Sequence, residues 1–227
     1  GRTNERVNDS VHRLKQDVPG ANVSGLAADF SKHEDVQKLV SALPEIDILV
    51  NNAGIFEPKP FIEITDEEWL RFFTVNVLSG VQLSRAVFPR MLEKNWGRII
   101  FISSESALSI PEEMIHYGAT KTMQLGVSRG LAELTKGTNV TVNSVLPGPT
   151  KSEGVADFLG SLAKGNNITV EEAEKNFFRD ARPNSILQRF ADVSEVANLV
   201  AYVSSPLSSA TNGAALRVDG GLVKLIM

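Results

Sequence analysis

Tyr117 and Lys121 place a phenol and an ammonium four residues apart, a spacing that can support acid–base chemistry. On an α-helix, side chains at positions i and i+4 lie on the same face, one above the other. A nearby ammonium favours the phenolate, so we expect it to lower the pKa of Tyr117 from about 10. A phenol with a lowered pKa can give a proton to a substrate oxygen or take one from it.

Four apolar stretches elsewhere in the chain each end at a polar or turn-forming residue. They cover residues 23–28, 46–50, 98–103 and 140–146, and they end at Asp29, Asn51, Ser104 and Pro147. Near-continuous apolar runs of this length are typical of parallel strands that are buried on both faces. Ligands of open α/β sheets bind beyond the carboxyl ends of the strands. The pattern therefore predicts a binding site at this edge of one sheet.

The elements that must hold this site alternate between strands and helices. Helical periodicity occurs over residues 7–18, 36–43, 65–92, 115–134, 171–181 and 193–204, and a last strand covers residues 214–218. This order predicts a doubly wound parallel sheet of Rossmann type in a three-layer α/β/α arrangement, with residues 1–227 as one domain. Residues 150–190 contain no strand pattern, and we interpret them as a helical insertion that forms a substrate lid.

Composition excludes several classes of function. The 227 residues include 27 acidic and 23 basic side chains, a net charge of −4, without any basic block. Binding to nucleic acid or to an anionic membrane is therefore not expected. The chain contains no cysteine, which excludes disulfides and thiolate metal sites, and we expect no metal. Apolar runs fall short of the ~18 residues of a membrane span and no signal peptide is visible, so the expected location is the cytoplasm.

Taken together, and in this order along the chain, the motifs resemble the short-chain dehydrogenase/reductase family. The matching landmarks are Asp29, Asn51-Asn52-Ala53-Gly54, Asn76, Ser104, Tyr117, Lys121, Pro147-Gly148-Pro149-Thr150 and Val218-Asp219-Gly220-Gly221. The resemblance spans nearly the whole chain. It implies an NAD(P)-dependent oxidoreductase that interconverts a carbonyl and an alcohol by hydride transfer.

The resemblance also implies a role for each catalytic residue. Tyr117 would be the general acid/base, and Ser104 would hydrogen-bond the substrate oxygen. Lys121 would lower the pKa of Tyr117 and bind the nicotinamide ribose. Asn76, an unusual residue within a helical pattern, would hold a water that links Lys121 to solvent for proton exchange.

The cofactor-binding set implied by the resemblance extends along the same edge of the sheet. Asp29 would contact the adenine region, and the segment after residue 146 would hold the nicotinamide carboxamide. The complete set is Arg2, Asp29, Asn51, Ala53, Gly54, Tyr117, Lys121, Pro147, Gly148 and Thr150.

Gly1 and Arg2 bear on the choice of cofactor. By the resemblance, Gly1 occupies the position where an NAD-dependent enzyme carries an Asp for the ribose 2′-hydroxyl, and Arg2 follows it. An Arg can pair with a 2′-phosphate, and no carboxylate at this position repels that phosphate. We therefore expect NADP(H) in preference to NAD(H).

Other interpretations remain open at this level. The fold also suits a non-catalytic nucleotide-sensing or interaction protein, and the same site suits epimerase or dehydratase chemistry. Side chains beside the motifs are ambiguous: His116 could reach the substrate or simply pack, and the nearby carboxylates could repel acidic substrates or be solvated. Those carboxylates are Glu105, Glu112 and Glu113. An intact set of Ser104, Tyr117 and Lys121 favours an enzyme over a sensor.

The helix predicted over residues 115–134 indicates self-association. Its apolar residues lie on more than one side, which suggests burial beyond the core of one subunit. The family resemblance implies a homotetramer or a dimer that forms through this helix and the helix before it.

The family's first strand and its Gly-rich turn, T-G-x-x-x-G-x-G, have no counterpart in this sequence. In the family's strand order, 3-2-1-4-5-6-7, that first strand is central. Without it, buried backbone groups on both neighbours would lack partners, at about 1–3 kcal/mol each. We therefore expect the natural protein to carry an additional N-terminal segment of roughly 30–40 residues, the size of a βαβ start.

Overall fold

A parallel four-stranded sheet forms the centre of the molecule. The computed structural model describes residues 1–226, apart from the side chain of Glu153. The strands are β1 (Ile48–Asn51), β2 (Gly97–Ile102), β3 (Val140–Pro147) and β4 (Ala215–Val218), and they lie in the order β1-β2-β3-β4. All three pairings are parallel. The carboxyl ends of the strands therefore meet at one edge, as the sequence predicts.

Helices cover both faces of this sheet, which confirms the predicted Rossmann-type architecture. They are α1 (Asn4–Asp17), α2 (His33–Ser41), α3 (Asp66–Phe73), α4 (Ser79–Glu93), α5 (Ile115–Glu133), α6 (Glu153–Asn166), α7 (Val170–Asn176) and α8 (Val193–Ser204). On one face α4 and α5 pack over Ile99 and Phe101 of β2. On the other face α8 packs over Ile100 through Val203. Successive residues of β2 thus serve opposite faces, as the strand period of two requires.

One predicted strand is wrong. Residues 21–29 carry no regular secondary structure and pair with no strand of the described chain. A strand needs a neighbour for its backbone hydrogen bonds, and the described sheet ends at β1, which pairs only with β2. The Ala28 N–H instead donates to the Gly1 carbonyl at 2.9 Å, which brings the first residues of the chain beside Asp29.

The long helical pattern over residues 65–92 contains an irregular turn. Thr65 and Glu68 form the expected capping box at the start of α3. Between α3 and α4, residues Thr74–Leu78 form a π-helical segment in which the Ser79 N–H donates to the Thr74 carbonyl. Asn76 lies in the middle of this segment, and π turns of this kind are frequent at functional sites.

The segment of residues 150–190 contains two α-helices and a small hydrophobic cluster of its own. Helices α6 and α7 are followed by a second π-helical segment, Phe177–Ala181. The cluster includes Leu159, Phe178 and Phe190, and the aromatic rings of Phe178 and Phe190 lie 5.1 Å apart. This packing fixes the two helices to each other.

Among residues 1–226, no helix is both long enough and apolar enough to cross a membrane.

Candidate active site

A cavity of about 780 Å³ opens at the carboxyl ends of the strands. Its inner wall comes from the loop after β2, the start of α5 and the segment after β3, and its outer wall from α6, α7 and the second π segment. Residues of the inner wall include Ser104, Tyr117, Gly148 and Thr150, and residues of the outer wall include Phe158, Leu162 and Phe177. Of the predicted catalytic residues, Ser104 and Tyr117 therefore line this mostly apolar cavity, whereas Asn76 and Lys121 are not among its lining residues.

The side chains of Ser104 and Tyr117 both line the cavity and interact electrostatically. Burial raises the pKa of Tyr117 to about 12, the hydrogen bond from Ser104 opposes that rise, and the charge of Glu105 adds to it. The expectation that Lys121 lowers this pKa is wrong for this structure, because burial outweighs any stabilisation of the phenolate. Tyr117 is consequently a neutral phenol, a proton donor, throughout the physiological range.

Lys121 is buried beneath Tyr117 on α5. Its Nζ atom lies 5.6 Å from the centre of the Tyr117 ring and donates to the Ile102 carbonyl at 2.9 Å. Burial lowers the pKa of Lys121 to about 8, although the charge of Glu105 works in the opposite direction. In the described residues, the ammonium has this one protein acceptor for its three protons, so it keeps donors for another group.

The Asn76 side chain connects the loop after β1 to helix α5 through hydrogen bonds. Its Oδ1 atom accepts from the Ile55 N–H at 2.8 Å, and its Nδ2 atom donates to the Ile55 carbonyl and to Thr120 Oγ1, both at 3.0 Å. The backbone carbonyl of Asn76 accepts from the Gln124 side chain. These bonds explain why an amide, which competes with regular helical bonding, occurs in a π segment here.

Glu105 is a buried carboxylate that lies directly beside Ser104. The Ser104 hydroxyl donates to Glu105 Oε2 and accepts from the Ser106 N–H at 3.1 Å. Burial raises the pKa of Glu105, while the hydrogen bond from Ser104 and the charge of Arg182 act to lower it. From the sequence, Glu105 could be solvated or could repel acidic substrates. The sequence gives no indication of a role for Arg182.

Arg182 connects the outer wall of the cavity to this carboxylate. It follows the second π segment, and its Nε atom lies 3.9 Å from Glu105. Its Nη2 atom donates to Glu113 at 3.0 Å, and its guanidinium carbon lies 5.6 Å from the centre of the Phe177 ring. The side chains of Arg182 and Glu105 are 13% and 8% exposed, whereas that of Glu113 is 42% exposed, so the charged cluster runs from the buried Glu105 to the surface.

The residues after β1 and β3 support the same edge. The Asn51 side chain turns toward α4 and donates to Ser84 Oγ at 3.2 Å, which fits a role in holding the sheet. Gly148 is pressed against the loop after β4, where a Cβ atom would lie 2.7 Å from the Asp219 carbonyl. Thr150 donates through its hydroxyl to the Gly148 carbonyl at 2.9 Å. Only glycine fits at position 148 without moving the backbone.

Asp29 and Arg2 lie together at a separate part of the edge. Asp29 accepts from the Ser31 N–H at 3.0 Å and from its hydroxyl at 2.7 Å. These bonds lower the pKa of Asp29, and the charge of Arg2 contributes to the same shift. Arg2 is exposed, so its guanidinium is accessible beside this carboxylate.

His116 is a packing residue. It is 1% exposed, and the centre of its ring lies 4.0 Å from that of Phe72 and 6.0 Å from that of Trp69. Burial lowers its pKa, which keeps the imidazole neutral. It is not among the residues that line the cavity.

The nicotinamide end of an NAD(P) cofactor fits the residues around Lys121. A Cβ atom at Gly54 would lie 3.5 Å from Lys121 Nζ and 3.6 Å from Asn76 Oδ1. A side chain at position 54 would therefore occupy the space in front of the ammonium, which the glycine leaves free. Free ammonium protons beside open space suit a sugar that carries two hydroxyls.

Comparison with known proteins agrees with this geometry. A family model described as Enoyl-(Acyl carrier protein) reductase matches residues 2–223. The chain is 53% identical over 226 residues to the uncharacterized oxidoreductase YvaG of Bacillus subtilis (strain 168), covering 100% of this chain and 86% of that protein. It is 32% identical to Dehydrogenase/reductase SDR family member 4 of Caenorhabditis elegans, covering 97% of this chain and 83% of that protein.

The fold is also similar to a solved structure. L-sorbose reductase from Gluconobacter frateurii, complexed with NADPH and L-sorbose, superposes with a TM-score of 0.91 at 28% identity, covering 99% of this chain and 86% of that one. The fold, the order of the motifs and the relatives lead to the same assignment. The chain belongs to the short-chain dehydrogenase/reductase family of oxidoreductases.

Proposed function

We propose that the protein interconverts a carbonyl and an alcohol with a nicotinamide cofactor, using Tyr117 as the general acid/base. The observation that carries this proposal is that Tyr117 and Ser104 line the same cavity, with the buried Lys121 ammonium 5.6 Å from the centre of the Tyr117 ring. Two hydroxyls that converge in this way can bind one substrate oxygen. The proposal is tested by incubating the protein with a panel of alcohols and ketones while the absorbance of the reduced cofactor is followed.

In the reductive direction, Tyr117 donates its proton to the carbonyl oxygen as negative charge develops there. A pKa of about 12 keeps this proton on the phenol at neutral pH, so the proton is available when reduction starts. Ser104 stabilises the same oxygen by a hydrogen bond that strengthens as the charge grows.

Lys121 and Asn76 support this proton donor. The Lys121 ammonium is positive below its pKa of about 8, and its charge would stabilise the phenolate that remains when Tyr117 has given up its proton. Asn76 holds Ile55 and Thr120 in place around the ammonium and would position the water that exchanges protons with Lys121.

The residues that would hold the cofactor follow the edge of the sheet. Lys121 would bind the nicotinamide ribose, Gly54 would leave room for it, and Gly148 with Thr150 would bind the carboxamide. Arg2 and Asp29 would lie at the adenosine end. When bound, the nicotinamide would supply or accept the hydride.

Preference for NADP(H) is proposed on the position of Arg2. Its exposed guanidinium lies near Asp29, at the end of the site where the adenosine ribose belongs. Arg2→Ala is expected to raise the KM for NADPH by about tenfold, the loss of a charge-assisted hydrogen bond, and to leave the KM for NADH nearly unchanged. Steady-state kinetics with both cofactors measures this difference.

Arg6 provides the matched control, because it is an exposed Arg in the first turn of α1, four residues after Arg2. Arg6→Ala should change neither KM by more than about twofold if the effect belongs to the position of Arg2. Equal use of NADPH and NADH by the unaltered protein, with no change in Arg2→Ala, would refute the proposed preference.

We propose that the substrate is an uncharged ketone or secondary alcohol with an apolar body. The cavity wall is dominated by aromatic and aliphatic side chains such as Phe56, Phe158 and Leu162, while two carboxylates, Glu105 and Glu113, share one Arg beside the hydroxyls. Both carboxylates, when ionised, would repel an anionic substrate. Residues 150–190 act as the lid of a single domain, since they form the outer wall.

The protein is further proposed to form a dimer or tetramer through α4 and α5. On α5, Met123 and Leu134 are 47% and 63% exposed, and a Cβ atom at Gly126 or Gly130 would have no neighbour within 4 Å. This leaves a smooth, partly apolar surface that a second copy can cover. Light scattering at micromolar concentration should give the mass of a dimer or tetramer, and a monomeric mass would contradict the proposal.

A further inference from the structure

The single proton of the Ser104 hydroxyl has two competing acceptors. One is Glu105 Oε2, to which the hydroxyl donates, and the other is the Tyr117 oxygen or a substrate oxygen in its place. A hydroxyl donates one hydrogen bond at a time, and a carboxylate is a stronger acceptor than a neutral oxygen. An ionised Glu105 therefore keeps the hydrogen bond of the Ser104 hydroxyl, which is then not donated to the substrate oxygen.

We propose that Glu105 is a positioning residue whose protonation turns the Ser104 hydroxyl toward the substrate oxygen. When Glu105 is a neutral acid, its own O–H donates to Ser104 Oγ, and the Ser104 proton is free to bond the substrate. When Glu105 is ionised, the Ser104 proton returns to the carboxylate. This inference rests on the proposed role of Ser104 and adds a residue that controls it.

The surroundings of Glu105 make both states accessible. It is 6% exposed, and burial favours the neutral acid. Arg182 from the outer wall favours the carboxylate, but it is shared with Glu113, to which it bonds more closely. Tyr117 and Lys121 on α5 complete the set of titratable groups that interact with Glu105.

The position of Arg182 links this switch to the outer wall. Arg182 follows directly on the second π segment, so a movement of that wall changes its distance from Glu105. A closer guanidinium stabilises the carboxylate, and a more distant one releases the neutral acid. A substrate that displaces Arg182 toward Glu113 would thereby orient Ser104 for its own reduction.

The test is the pH dependence of kcat for reduction of a ketone taken from the substrate panel, with saturating NADPH. Between about pH 5 and about pH 8, kcat of the unaltered protein should fall about tenfold as Glu105 ionises. This factor corresponds to the loss of one hydrogen bond from Ser104 to the developing charge on the substrate oxygen. Glu105→Gln cannot ionise and leaves the Ser104 proton free, so its kcat should change by less than about twofold over this range.

Arg182→Gln should move this decrease in kcat, called the kinetic step below, to higher pH. The substitution removes the positive charge that favours the Glu105 carboxylate. The double variant Glu105→Gln/Arg182→Gln should show no step. Glu112→Gln is the matched control: it removes an exposed carboxylate from the same loop and should keep the step unchanged. A step that survives in Glu105→Gln, or is absent from the unaltered protein, would overturn the inference.

Infrared spectroscopy of the protein without substrate or cofactor gives an independent readout. The unaltered protein should show the carbonyl band of a protonated carboxylic acid that is missing from Glu105→Gln. This band should lose its intensity as Glu105 ionises with rising pH, and a spectrum without such a pH-dependent band would overturn the inference. Ser104→Ala separates the two proposals. If it keeps full activity, the proposed function is wrong, whereas a large loss together with an unchanged step in Glu105→Gln refutes only the role of Glu105.

Discussion

Tyr117→Phe is expected to lower kcat by about 10²–10⁴-fold, the usual contribution of a positioned general acid. The substitution removes only the hydroxyl, because the ring can keep its edge contact with Phe56 at 6.3 Å. The fold and the affinity for the cofactor should therefore change little. Turnover of a ketone by cofactor absorbance, thermal unfolding by circular dichroism and NADPH binding by fluorescence measure the three quantities.

The chain supplies a matched control for this change. It contains two tyrosines, and the other one, Tyr202 on α8, is 46% exposed. Tyr202→Phe makes the same chemical change outside the cavity and should leave kcat within about twofold of the unaltered value. If Tyr117→Phe also kept the full rate, Tyr117 would not be the acid, whatever the fold.

Lys121→Met should impair both turnover and cofactor binding, unlike the change at Tyr117. Methionine keeps the aliphatic stem but removes the ammonium that is buried below Tyr117 and bonded to the Ile102 carbonyl. We expect a loss of roughly 10- to 100-fold in NADPH affinity, the worth of hydrogen bonds from a charged donor, together with a large drop in kcat. Fluorescence titration with NADPH and steady-state kinetics separate the two effects.

Two comparisons show whether the effects of Lys121→Met come from the lost ammonium or from a general loss of stability. Lys136→Met, at an exposed position just after α5, should behave like the unaltered protein. Thermal unfolding of Lys121→Met reports the cost of leaving the Ile102 carbonyl without its donor, on the order of 1–3 kcal/mol. Unchanged NADPH affinity in a folded Lys121→Met protein would contradict the proposed contact with the ribose.

Sequence periodicity predicted the sheet and its helices well, because each depends on local patterns. Apolar runs without alternation marked β2 and β3 as buried on both faces, and the Thr65–Glu68 pair marked the start of α3. The failure at residues 23–28 has a physical cause. A strand-like composition indicates only a preference for extended backbone. A strand forms when its backbone hydrogen-bonds to a neighbouring strand, and no described strand pairs with residues 23–28.

The electrostatics of the site were not predictable from spacing. Tyr117 and Lys121 are indeed close, yet burial dominates and raises the pKa of Tyr117 instead of lowering it. The sequence showed Glu105 as one carboxylate in an acidic loop, and nothing local indicated that a residue 77 positions later, Arg182, would approach it to 3.9 Å. Degree of burial and long-range ion pairs are properties of the folded chain alone.

The two π-helical segments are positions at which the deletion of a single residue should be poorly tolerated. A π turn contains one residue more than the α-helix around it, so deletion of one residue can restore a regular α-helix and change the direction in which the side chains of the segment point. Such a deletion within Thr74–Leu78 would turn Asn76 away from Ile55, and one within Phe177–Ala181 would redirect Arg182 away from Glu105. Loss of a single codon in either segment would therefore disturb the active site more than most substitutions around it.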